Sequence, residues 1–189
     1  NMIQKIEAGA WKEMDAQVKQ GQDLLQRVRF SKAPVVAAPH HLALGGGFEL
    51  VAPAAHRVAL GELYIGAVEV AVGLIPGAGG NLRLILNLME NSGSGRMNSF
   101  QVAQKAFETI GFAKVATSAK LAVSYGYLTE EDKIVLNRQH ILSEAKDMVL
   151  NLSENYTPPE IETFKLPGSA GRIAIEISAK GMVKAGKIS

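Results

Sequence analysis

Pro34-Val35-Val36-Ala37-Ala38-Pro39-His40-His41-Leu42-Ala43-Leu44-Gly45-Gly46-Gly47-Phe48-Glu49-Leu50 decides how the rest of the chain is read. Val35 to Ala38 form a short apolar run with a proline at each end. Such a run, without alternation, is a strand buried on both faces, as in parallel sheets. Pro39-His40-His41 is a connection. In extended backbone adjacent side chains leave on opposite faces, so the two histidines point apart and read as loop residues rather than ligands. Three glycines then lead into a helix reaching about Ala55, and Arg57–Leu60 supplies a second short strand. A buried strand, a tight turn, a helix and another strand indicate an α/β fold.

Working outward, residues 1–30 read as helix. Ile3, Ile6, Ala10, Met14 and Val18 recur at helical spacing, and Leu24, Leu25 and Val28 resume the stripe after Gly21. Pro34 stops it. Downstream, Gly61–Gly66 is a turn with a brief extended piece, and a helix is expected from Asn81 to about Met89. Asn91-Ser92-Gly93-Ser94-Gly95 is a loop by composition. Helical patterns return at about 99–110, 118–125 and 138–152, with a strand at Lys133–Leu136 and a loosely helical tail from Ser169 to Lys184. There is no internal repeat. The division expected is 1–90 for the α/β core and 91–189 for a helical C-terminal region.

Composition excludes several classes. Hydrophobic residues at 47% and charged residues at 20% describe a chain able to bury a core, not a disordered one. The net charge of +2 comes from dispersed Lys and Arg, with no basic run of the kind that binds nucleic acid. The absence of cysteine removes disulfides and thiolate chemistry and fits a cytoplasmic location. No apolar run is long enough to cross a membrane as a helix. The opening residues Asn1-Met2-Ile3-Gln4-Lys5 lack the apolar core of a signal peptide. A start directly in an amphipathic stretch suggests part of a longer chain.

The glycine clusters match no nucleotide signature. A dinucleotide fingerprint begun at Gly45 would need glycine where Leu50 stands, and one begun at Gly77 would need it where Leu82 stands. A different use suits Gly45-Gly46-Gly47. Residues without a Cβ let backbone approach a ligand closely, and N–H groups at a helix start favour developing negative charge. Close packing of helix on strand explains the same glycines equally well. Glu49, in the first turn of that helix, can be a partner of the helix dipole. Glu69 sits between Val68 and Val70-Ala71-Val72. Burying a carboxylate costs several kcal/mol unless it is paired, of the order seen for unpaired charges in proteins. By itself Glu69 reads as an edge residue with its head in water.

Taken together, these pieces resemble the crotonase (enoyl-CoA hydratase/isomerase) family. The likeness lies in Pro34–Ala38, in Ala43-Leu44-Gly45-Gly46-Gly47-Phe48-Glu49-Leu50, in Gly66-Ala67-Val68-Glu69 and in Gly73-Leu74-Ile75-Pro76-Gly77-Ala78-Gly79-Gly80. It is clear from Ala33 to about Leu86 and weaker over Ala116–Leu128. The glutamates stand twenty positions apart, as the catalytic pair does in crotonase-type hydratases. The remainder is similar to long bacterial 3-hydroxyacyl-CoA dehydrogenases carrying a crotonase module, at Phe112–Ala119, Asp132–Arg138 and Pro158-Pro159.

The resemblance implies a partial ββα spiral followed by a helical C-terminal region. It implies hydration of α,β-unsaturated acyl-CoA thioesters in fatty-acid oxidation, with Glu49 and Glu69 as the acid–base pair and the Gly46 N–H as an oxyanion donor. Gly45, Gly47 and Gly77 are read as lining the substrate. Hydration needs neither metal nor cofactor, and NAD is implied only for a dehydrogenase part outside this chain. Homo-oligomers are the family's habit. The alternatives are another reaction of the family (isomerisation, thioester hydrolysis, decarboxylation), or a non-catalytic acyl-CoA- or protein-binding module. Two departures stand out: His41 where the family commonly has glycine, and Val68 where it commonly has proline. The family's second oxyanion donor comes from a segment that would precede Asn1, so this chain is expected to carry half a site.

Overall fold

A computed structural model describes residues 2–92, 97–161 and 163–186. The expected 1–30 helix is two helices, α1 (Met2–Glu7) and α2 (Trp11–Arg29). Gly9, at φ +66°, turns the chain between them, whereas Gly21 stays inside α2. Next come β1 (Val36–Ala37), β2 (Leu42–Leu44), α3 (Gly46–Val51), β3 (His56–Leu60) and β4 (Tyr64–Gly66). α3 stops short of Ala55 because Pro53 has no N–H with which to continue the ladder. β2 was not expected; it pairs in parallel with β4, Leu42 opposite Tyr64, a partner that lies far along the chain.

A 3-10 turn (Glu69–Val72) leads to α4 (Gly80–Asn91), α5 (Ser99–Gly111) and α6 (Ala119–Tyr125). β5 (Lys133–Val135), α7 (Ile141–Ser153) and α8 (Gly168–Lys184) complete the order, with a 3-10 turn at Arg138–His140. Of the loop read at Asn91–Gly95, Asn91 instead ends α4 and Ser92 caps it, while residues 93–95 lie outside the described residues. α5 starts where Asn98 and Gln101 form a reciprocal capping box, and α6 where the Ser118 side chain accepts the Leu121 N–H.

β1 and β3 are parallel neighbours, Val36 opposite His56, and β5 joins the other edge of β3. One apolar core lies among β2, β4 and helices α3 to α6, around Phe48, Leu63, Ile65, Leu84, Leu88 and Leu128. A second packs Val58, Leu60 and Val135 under Ile141 and Ala145 of α7. The structure is therefore mixed α/β with a helical C-terminal part.

A buried ion pair ties β3 to the chain just before β5. Arg57 of β3 and Asp132, just before β5, are both buried. The Arg57 Nε donates to Asp132 Oδ1 at 2.8 Å and Oδ2 at 2.9 Å, and the Arg57 backbone N–H reaches Oδ1 at 2.9 Å. Thr129 adds its N–H and hydroxyl to Asp132 Oδ2, and the Arg57 guanidinium also donates to Ala52 O and Thr129 Oγ1.

The reading of the histidines needs correction. His40 Nδ1 and His41 Nδ1 stand 2.6 Å apart, with the rings edge to face. They do not diverge because His41 is not extended: its φ is +55°. That conformation is the one glycine adopts cheaply, so the backbone of this turn persists with histidine at a conformational cost.

α6 ends at Gly126, φ +87°, against α4. A methyl group there would stand 2.6 Å from Leu88 Cγ. Gly126→Ala is therefore expected to destabilise the fold by about 2–4 kcal/mol, from the left-handed backbone and the overpacking together. A urea midpoint equal to that of the parent would contradict this.

Candidate active site

β2 delivers the chain into Gly45, whose φ of +55° and ψ of −123° suit only glycine. The Gly45 N–H donates to Gly66 O at 2.8 Å, which ties this turn to the end of β4. The 3-10 turn beginning at Glu69 follows three residues after Gly66. It brings Glu69 back onto the glycines: a Cβ at position 45 would be 3.1 Å from Glu69 Oε1. Glu69 is half-buried, and its Oε2 is buried with no hydrogen-bond partner. This oxygen is not the water-exposed head of an edge residue. A buried acceptor left unpaired carries a desolvation penalty of about 1–3 kcal/mol, which a reacting or bound group can relieve.

The three glycines do different things. Gly45 supplies the conformation and the room for Glu69. Gly47 faces Ala43 of β2, where a Cβ would make ordinary contact at 4.0 Å, so it serves helix–strand packing. Gly46 is the first residue of α3, and a Cβ there would meet open space. Backbone N–H groups at a helix start have no intrahelical acceptor.

Glu49 lies one turn into α3 and is 6% exposed. Its Oε1 accepts the N–H of Ala78 at 2.8 Å and of Gly80 at 2.9 Å. Gly79 is the N-cap of α4 and offers no side chain, so Glu49 takes the N–H groups that the start of α4 leaves unmatched. A Cβ at Gly80 would come within 3.1 Å of Glu49 Cγ and Oε1, so glycine there makes this reach possible. Residue-by-residue reading of the sequence did not find Ala78 and Gly80 as partners of Glu49. The signal was the run Gly77-Ala78-Gly79-Gly80 ahead of a helix, which could have been read as an acceptor site. Gly77 itself presents its carbonyl to Gln22 Nε2 of α2 at 2.6 Å. On its other side Glu49 lines a narrow trough between α2 and α4 with Arg29 and Arg83.

Two carboxylates thus stand around one glycine turn. Glu69 rests on Gly45, and Glu49 is one helical turn further on, held by two backbone N–H groups. Such a pair can move protons to and from a substrate whose carbonyl meets the N–H groups at the start of α3. Among the described residues, no three His, Asp or Glu side chains are grouped to hold a metal ion. Among the same residues, no helix is long and apolar enough to cross a membrane.

Comparison with known proteins shows what the chain is similar to. A family model described as enoyl-CoA hydratase/isomerase matches residues 3–97. Over all 189 residues the chain is 39% identical to a Bacillus subtilis protein named "Probable 3-hydroxyacyl-CoA dehydrogenase", covering 23% of it. It is 45% identical over 74 residues to the fatty acid oxidation complex subunit alpha of Vibrio campbellii, 38% of this chain and 10% of that one. The crystal structure of an enoyl-CoA hydratase from Bacillus anthracis superposes with a TM-score of 0.59 at 26% identity, over 90% of this chain and 55% of the other. The chain spans less than a quarter of the length of the curated relatives named here.

Proposed function

This chain belongs to the enoyl-CoA hydratase/isomerase family, and we propose that it is part of a larger enzyme that hydrates 2-enoyl-CoA thioesters to 3-hydroxyacyl-CoA in fatty-acid oxidation. The observation that carries this reading is the pair of glutamates around one glycine turn: Glu69 Oε1 packs against Gly45, and Glu49 is locked by the Ala78 and Gly80 N–H groups. Relatives that isomerise or hydrolyse often need only one of these acids, so the presence of both favours hydration.

In the reaction, water attacks C3 of the enoyl thioester. As the C3–O bond forms and the C2=C3 π bond breaks, one glutamate takes a proton from the water. The electron pair moves onto the thioester oxygen, and the Gly46 N–H lowers the energy of that enolate. A glutamate then gives a proton to C2, so one water has been added in sum. The step needs no metal and no redox cofactor. NAD would serve only a dehydrogenase part of the longer protein, and the reaction would take place in the cytoplasm.

The test compares this 189-residue chain with its longer parent on crotonyl-CoA, following loss of the conjugated thioester absorbance. The parent turns over. The isolated chain is expected to be weakly active or inactive, since losing one oxyanion donor alone costs about 10² to 10³ in rate. No hydration by the parent would sink the reading, and full turnover by the isolated chain would refute the expected half-site. The longer protein is also expected to be a homo-oligomer. Leu136, just after β5, is 87% exposed and Leu142, in the first turn of α7, is 73% exposed, apolar surface that supports a covered face. A monomer in sedimentation at micromolar concentration would count against it.

A further inference from the structure

Tyr127 plays no part in the chemistry above, yet it touches the supports of both glutamates. It follows Gly126 at the end of α6 and is completely buried. Its hydroxyl donates to Lys114 O at 2.6 Å and accepts the Ala67 N–H at 3.2 Å. Ala67 is the first residue past β4, two before Glu69. The Tyr127 ring meets Phe48 edge to face, 4.9 Å between centroids, and Phe48 immediately precedes Glu49. Gly66 makes the link possible: a Cβ there would lie 2.8 Å from Lys114 O, the carbonyl that receives the Tyr127 hydroxyl.

We propose that Tyr127 is a positioning residue for hydration, holding Ala67 so that the short turn carrying Glu69 keeps its carboxylate on the glycine turn. This rests on the glutamate pair being the acid–base pair. The Glu69 turn is only four residues long, and its own backbone bonds, Ala71 N–H to Val68 O and Gly73 N–H to Val70 O, do not fix where it sits relative to α3. The Tyr127 hydroxyl ties its entry to the 114 carbonyl, and the ring holds the residue beside Glu49. Together with the Gly45 N–H to Gly66 O bond, this one rigid side chain therefore sets the spacing of the two carboxylates. Burial, opposed by the Ala67 N–H bond and reinforced by the nearby Glu69 charge, pushes the Tyr127 hydroxyl up to about 12, so it stays protonated and able to donate at neutral pH.

A tyrosine that only filled the core would cost activity equally whatever stands at 69. The experiment is a double-mutant cycle in the longer protein with crotonyl-CoA: Tyr127→Phe, Glu69→Gln and both together. Tyr127→Phe keeps the ring on Phe48 and removes the hydroxyl. It is expected to lower kcat about tenfold to a hundredfold, the scale of a small misplacement, with KM nearly unchanged. In the Glu69→Gln background it should cost nothing further, because the residue acts through Glu69. Wild-type kcat in Tyr127→Phe, or an equal loss in both backgrounds, overturns the proposal. Wild-type turnover by Glu69→Gln alone overturns instead the reading on which it rests. Should Tyr127→Phe fail to fold, site-specific 3-fluorotyrosine at 127 keeps ring and hydroxyl while weakening the oxygen as acceptor. A fall in kcat then supports the link, and an unchanged kcat overturns it.

Discussion

Glu49→Gln and Glu69→Gln in the longer protein are each expected to lower kcat for crotonyl-CoA hydration by about 10² to 10⁴, the usual worth of a positioned acid or base. The substitutions are isosteric, and the contacts around each site indicate that the fold tolerates them. At 49, a glutamine oxygen can still accept the Ala78 and Gly80 N–H groups that now meet Glu49 Oε1. At 69 no hydrogen bond to Oε2 is lost, because none is made. Loss of rate with an unchanged thermal midpoint would therefore report chemistry and not unfolding. The two losses should also fail to multiply, since groups that act on one transition state are not independent. Undiminished turnover by either variant would show that the pair has been misread.

The second large effect concerns stability. Asp132→Ala leaves the Arg57 guanidinium buried without its carboxylate and is expected to cost about 3–5 kcal/mol. In a chain of this size that lowers Tm by on the order of 10 °C. Restoring stability by making the pair apolar, as in Arg57→Met with Asp132→Leu, should succeed only in part. Asp132 also accepts the backbone N–H groups of Arg57 and Thr129, and an apolar residue leaves both buried donors unpaired. Asp132→Asn keeps an acceptor and should fall between the two. A Tm for Asp132→Ala within about 2 °C of the parent would show that this pair carries little of the fold's stability.

Near the site, both effects depend on groups that are distant in sequence. Asp132 is 75 residues from Arg57, and Ala78 and Gly80 are 29 and 31 from Glu49. No periodicity links such positions. A pattern of apolar residues tells which face of an element is buried, but not which other element will meet it. The same gap explains β2. Leu42–Leu44 is too short and too close to the glycines to be read as a strand, and only pairing with β4 makes it one. It also explains the histidines, because the positive φ of His41 is imposed by the turn that presents the His41 carbonyl to the Tyr64 N–H, 2.7 Å away.

The sequence by itself determined the α/β class, the short strands β1 and β3, the glycine turn into α3, and the cores of α4, α5, α6 and α7. Each is written in local chemistry: apolar runs closed by proline, glycine where the backbone turns tightly, Asn98 or Ser118 where a helix begins. It also marked Glu49 and Glu69 as acids in apolar surroundings, and the family resemblance made them a pair. Only the tertiary structure decided what those acids touch. Glu49 meets the start of α4, Glu69 meets Gly45, and Tyr127 spans the two supports, because the chain path brings β4, α3 and the 78–80 turn to one place. Contacts of that kind arise from the closure of long loops, which local spacing does not encode.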